Sequence, residues 1–102
     1  MVVIARPHRL GEAIRLLRER AGLKRDELAA RLEGVSPGRL SDYESGKPQK
    51  YDIDALRVIV RALAESLVVD IEELWTEIMA IRDEELRVRE AEREAEVLGN
   101  DI

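Results

Sequence analysis

The sequence predicts an all-α protein of about five helices, the last of them long and charged. Three observations carry this reading. Apolar residues recur at spacings of three and four along most of the chain. Leu, Ala, Glu and Arg recur throughout while there is no Phe, one Trp and two Tyr, a composition of helices packed by aliphatic side chains. Breaks containing glycine or proline separate the periodic stretches. With 102 residues the chain holds one compact domain, and anything further is an appendage.

The elements follow in order. From Arg9 to Ala21, the residues Leu10, Ala13, Ile14, Leu17 and Ala21 form one apolar stripe, and Gly22 ends it. A second helix runs from about Arg25 to Leu32, with Asp26 and Glu27 in its first turn, where carboxylates suit the helix dipole, and Leu28, Ala29 and Leu32 inward. Glu33, Gly34 and Val35 break the chain. Ser36 followed by Pro37 then supplies a hydroxyl cap and a proline at the first helical position, where its missing N–H costs nothing. This third helix turns Leu40 and Tyr43 inward and stops around Ser45 and Gly46. A loop containing Pro48 leads to a fourth helix capped by Asp52 or Asp54, with Leu56, Ile59, Val60, Leu63 and Leu67 as its stripe. From about Asp70, Ile71, Leu74, Ile78 and Ile81 make a coiled-coil-like seam that passes into Glu85 and Glu92 and so weakens. Pairs such as Asp83 with Arg87 and Glu85 with Arg89 support the charged remainder, which Gly99 and Asn100 end.

Composition removes several function classes. There is no Cys, which excludes disulfides, thiolate zinc sites and thiol nucleophiles, and His8 has no second imidazole with which to share a metal. No Ser/His/Asp set, glycine-rich phosphate loop or metal-ligand cluster is visible, so neither an enzyme nor a cofactor is expected. Met1 to Ala5 is too short for a signal-peptide core, and no apolar stretch approaches the ~20 residues that span a bilayer. A soluble, cytoplasmic protein is the expectation. The net charge of −5 conceals an asymmetry: residues 1–50 carry eleven Lys and Arg against seven Asp and Glu, residues 51–102 six against fifteen. A basic front half suits a face offered to phosphates and leaves the acidic rear half for another task.

Two short helices joined by a tight Gly-containing break, the second capped by Ser-Pro and bearing exposed polar residues, have the layout of a helix-turn-helix. Residues 9–74 resemble the lambda-repressor and Cro-like (XRE-type) helix-turn-helix regulators. The residues that carry the likeness are Arg18, Gly22, Leu23, Leu28, Ala29, Leu32, Gly34, Val35, Ser36, Leu40, Ser41, Tyr43, Glu44 and Gly46, then Leu56, Leu63 and Ile71-Glu72-Glu73-Leu74. The chain departs from the pattern by one extra residue around Glu33 and about one extra helical turn at 64–67.

The resemblance implies a recognition helix starting at Ser36-Pro37, with its N-terminal residues toward base edges in the major groove. Its exposed positions are Pro37, Gly38, Arg39, Ser41, Asp42 and Ser45. Arg39 is the candidate base reader, because a guanidinium bonds bidentately to guanine, and a phosphate contact is the alternative. Asp42 can accept only from a cytosine amino group and repels phosphate, so it either selects against other sites or orients Arg39 three residues away. Pro37 and Gly38 offer no side-chain donors where relatives often place polar readers. Arg25 stands where the family usually has a backbone-contacting glutamine, beside Lys24. Lys47, Gln49 and Lys50 follow the recognition helix, and each of these residues is a phosphate candidate. Arg18 and Glu44 occupy positions that resemble a structural buried ion pair.

The expected organisation is an N-terminal arm over residues 1–8, the helix-turn-helix domain over 9–74, and a C-terminal extension over 75–102. In the segment centred on Ile71, Leu74, Trp75, Ile78 and Ile81, the alternative is a closing helix packed on its own domain, which suits Leu74 given the likeness there, but Trp75, Ile78 and Ile81 left exposed together would form an apolar patch that soluble monomers seldom show. A homodimer through this segment is therefore expected, placing two recognition helices about 34 Å apart on a palindromic duplex. The function expected is a dimeric transcriptional repressor binding double-stranded DNA. The alternative is a protein-binding adaptor on the same fold, such as an antitoxin whose acidic C-terminal helix covers a partner.

Overall fold

The computed structural model describes residues 9–48 and 50–100, the last four of these by their backbone alone. Five helices follow one another: α1 (Leu10–Arg20), α2 (Arg25–Ala29), α3 (Pro37–Ser45), α4 (Ile53–Leu67) and α5 (Ile71–Asn100). No strand occurs among the described residues. The protein is all-α.

The helices stop where backbone chemistry stops them. After α1, Gly22 takes a left-handed φ of 73°, and Leu23 N–H returns to the Arg18 carbonyl at 3.1 Å. Gly46 repeats this after α3 with a φ of 77° and a Lys47 N–H bond to the Asp42 carbonyl at 3.1 Å. Both are glycine-terminated stops that satisfy otherwise orphaned carbonyls. At the end of α4 the same task falls to Val68, a β-branched residue at a φ of 56° and 90% exposed, which makes it a strained position. Ser36 caps α3 as its sequence indicates, its hydroxyl accepting from Arg39 N–H at 3.1 Å. Asp52, and not Asp54, caps α4, accepting from Asp54 N–H at 2.9 Å.

The second helix is shorter than its periodicity indicates. It ends at Ala29, and the chain tightens into bonds from Arg31 N–H to the Leu28 carbonyl and from Leu32 N–H to the Ala29 carbonyl. These i→i+3 bonds are the usual way to close a helix whose last turn cannot continue. Leu32 still reaches the core.

One core unites all five helices. Leu10, Ile14 and Leu17 of α1, Leu28 of α2, Leu40 of α3, and Leu56, Ile59, Val60 and Leu63 of α4 are fully or almost fully buried. Leu74 and Ile78 of α5 join them with no exposed surface. This corrects the expectation of an exposed Ile78, which is covered by its own chain, while Leu74 packs on its own domain as the alternative for it has it. Ile71, Trp75 and Ile81 are partly buried against the same core. Helix α5 crosses residue 75 without interruption, because a 3.6-residue period carries the buried stripe on to Glu85, only 4% exposed. Glu92, on the same extrapolated seam, is exposed. Of the ion pairs expected on α5, Glu85–Arg89 forms at 3.4 Å. Arg87 instead takes Glu84, one residue nearer than Asp83, at 2.8 Å, and Asp83 pairs with Arg82.

Helices α1 and α3 pack backbone against backbone at Gly11. A Cβ on Gly11 would overlap the carbonyl oxygen of Tyr43 and stand 2.6 Å from that of Glu44. A residue with any side chain is excluded there. In sequence, Gly11 reads only as a weak helix position.

Candidate nucleic-acid interface

Helix α3 is anchored by Leu40 and Tyr43, both buried, while Ser36, Pro37, Gly38 and Ser45 are exposed and Arg39, Ser41 and Asp42 are half-buried. The spacing of three between the anchors leaves the rest of the turn facing outward. A Cβ on Gly38 would meet nothing nearer than 4.0 Å, so the start of α3 is an open surface.

Arg39 does not pair with Asp42. Its Nη2 donates to Oδ2 of Asp52, 13 residues on, at 3.0 Å, and its guanidinium lies over the Tyr43 ring, 5.7 Å from the centroid. This corrects the expected orienting role of Asp42. One carboxylate therefore caps α4 and holds the arginine of α3. The hydrogen bond from Arg39 pulls Asp52 below the ordinary carboxylate value, with the Asp54 N–H adding to it. Asp42 instead faces Lys47 at 3.5 Å, an exposed pair of little net stability.

The cations flanking α3 divide by environment. Lys24 and Lys50 are exposed, as is Lys47, whose side chain retains 74% of its surface. Arg25 is about half exposed and also approaches Glu44 at 3.7 Å. Gln49 lies outside the described residues. Lys24 opens α2, its N–H donating to the carboxylate of Glu27 at 3.0 Å, which fixes the entry of the chain into the motif.

Beneath this surface Arg18 and Glu44 make a two-bond pair. Arg18 Nε and Nη2 donate to the two Glu44 oxygens at 2.9 and 3.0 Å, and Nη1 donates to the Leu23 carbonyl at 2.9 Å. Both side chains are largely out of solvent. The fork geometry of a guanidinium suits a carboxylate on one side and a carbonyl on the other. One arginine thus joins α1, the turn after it, and α3.

Sequence reasoning missed the other arginine that reaches this region. Arg89 of α5 donates to the Pro48 carbonyl at 3.0 Å, within the loop that follows α3. Only its spacing of four from Glu85 was visible in the sequence. Among the described residues, no group of His, Cys, Asp or Glu could hold a metal ion, and no helix is long and apolar enough to cross a membrane.

A helix pair of this kind, joined by a glycine turn and pinned by a buried ion pair to a preceding helix, defines a helix-turn-helix protein. The helix-turn-helix domain family matches residues 9–74, and the chain belongs to that family. No curated protein and no solved structure matches the chain.

Proposed function

We propose that this protein is a sequence-specific, double-stranded DNA-binding transcriptional regulator of the lambda-repressor-like (XRE) type, acting as a dimeric repressor. The observation that carries the reading is the outward face of α3, flanked by the unburied cations Lys24, Arg25, Lys47 and Lys50, in a chain whose residues 9–74 match the helix-turn-helix domain family. Arg39 is the base reader in this reading, and the flanking cations hold phosphates. Arg18 and Glu44 keep α3 at a fixed angle to α1.

The dimer draws on Ile71, Trp75 and Ile81, whose remaining surface is the part of the expected interface that the core does not use. Two copies would present their α3 helices to successive major grooves, and the operator would be roughly palindromic. Equilibrium sedimentation tests this directly, and a chain that stays monomeric at all concentrations would remove the dimer.

The DNA reading is tested by duplex binding as a function of salt. Affinity should fall steeply as salt rises. Replacing Arg25 and Lys47 together by Ala should weaken binding to every sequence and flatten the slope of log K against log salt by about 2. A double mutant that binds like the parent would show that these cations do not meet phosphates.

A second reading has its own support. Glu90, Glu92, Glu94 and Glu96 on α5 are all exposed and offer an acidic surface to a protein partner, as in an antitoxin. A chain that binds no duplex even at low salt, together with capture of a basic protein through α5, would favour this adaptor role.

A further inference from the structure

Arg89 stands on α5, fifteen residues past the end of the segment that matches the helix-turn-helix family, yet its contacts lie in the loop between α3 and α4. Nη1 donates to the Pro48 carbonyl at 3.0 Å, and Nη2 donates to the Gly46 carbonyl at 3.5 Å and to the Tyr51 hydroxyl at 3.4 Å. The guanidinium also lies 5.6 Å from the Tyr51 ring centroid. Glu85, one turn earlier and with a side chain only 5% exposed, lies 3.4 Å from the same Nη2 and supplies the counter-charge. A solvated surface ion pair would have neither a buried carboxylate nor backbone carbonyls as partners.

These contacts lead to the α3 surface. Tyr51 meets Tyr43 edge to face at a centroid distance of 5.5 Å. The Tyr43 hydroxyl accepts from Asp52 N–H at 3.1 Å, and the Asp52 carboxylate holds Arg39. Between Gly46 and Tyr51 lie Lys47 and Lys50. Among the described residues of this connection none is helical, and backbone outside a helix loses conformational freedom on meeting a ligand unless other contacts already hold it.

We propose that Arg89 is a positioning residue for DNA reading: it holds the Gly46 and Pro48 carbonyls and the Tyr51 hydroxyl, so that Lys47, Lys50 and, through Tyr51, Tyr43 and Asp52, Arg39 are arranged before DNA arrives. The proposal rests on the DNA-binding function above. It makes α5 part of the reading unit and not an appendage to it. The family segment alone, residues 9–74, lacks the residue that sets its own loop.

The test uses the full chain with Arg89→Ala and Arg89→Lys, and two readouts. The first is amide hydrogen exchange at Lys47 and Asp52, whose N–H groups are bonded to the Asp42 carbonyl and the Tyr43 hydroxyl. The second is affinity for a duplex selected from a random pool, against an unselected duplex. Arg89→Ala should speed exchange at these two amides at least tenfold and leave α1 and α4 amides unchanged. It should lower affinity for the selected duplex by about tenfold, and for the unselected duplex by much less. Arg89→Lys, with a point charge in place of a fork, should fall between. Unchanged loop exchange, exchange that rises equally in α1 and α4, or equal losses on both duplexes would each overturn the proposal. A parent that binds no duplex would overturn the DNA function instead, and the exchange readout would still decide whether Arg89 holds the loop.

Discussion

The guanidinium of Arg39 and the carboxylate of Asp52 share a 3.0 Å hydrogen bond across 13 residues of chain, so the side chain proposed to read a base is already held by the cap of the next helix. Asp52→Asn keeps a capping oxygen and removes the charge. It should raise affinity for unselected duplex and narrow the gap between selected and unselected sites, because Arg39 is then free to take any phosphate. Arg39→Ala should cost about 1 to 3 kcal/mol at a guanine-containing site. Competition binding with both duplexes checks this pair, and equal losses for Arg39→Ala on the two would assign Arg39 to phosphate.

Glu44 accepts from Arg18 and lies 3.7 Å from Arg25, with a side chain only 3% exposed. Glu44→Ala leaves Arg18 buried without its counter-charge, which should cost about 3 to 5 kcal/mol. Glu44→Gln keeps an acceptor and should cost less. Urea unfolding of the three proteins reads both values, and a Glu44→Ala protein as stable as its parent would deny the pair a structural role.

Gly11 has no room for a methyl group against the end of α3. Gly11→Ala improves helix propensity but must push α1 off α3. Overpacking wins, at about 3 kcal/mol, and calorimetry should show a lower Tm despite the better helix former. A higher Tm would mean that the two helices separate without cost.

Tyr51 and Asp52 give the stability opposite dependences at the two ends of the pH scale. Burial, and then the hydrogen bond and charge of Glu85, push the Tyr51 hydroxyl from 10.0 up to about 12. The unfolded chain therefore loses this proton first as pH rises. The stabilisation is complete below pH 10 and is lost as pH climbs toward 12. Tyr51→Phe should unfold less steeply with pH over that range, measured by urea midpoints. Asp52 is shifted downward by Arg39, so its contribution is present above the ordinary carboxylate value and fades as pH falls through the lowered one. Asp52→Asn should flatten the acid limb alone.

The sequence by itself determined what is local. Stripes such as Leu10, Ile14 and Leu17, the Ser36 cap before Pro37, and the glycine stops at 22 and 46 act within one or two turns, so the helix-turn-helix layout could be read from spacing, and the family from the resemblance of the matching residues. The tertiary structure decided what depends on chain segments far apart. Whether Ile78 meets its own domain or a second chain cannot be told from a three-and-four period, which marks a face to be covered and not the surface that covers it. The choice of Asp52 over Asp42 by Arg39, the exclusion of a side chain at Gly11, and the reach of Arg89 to the loop after α3 all arise from helix crossings. A crossing is set by the packing of all five helices at once, and no single segment carries the information that fixes it.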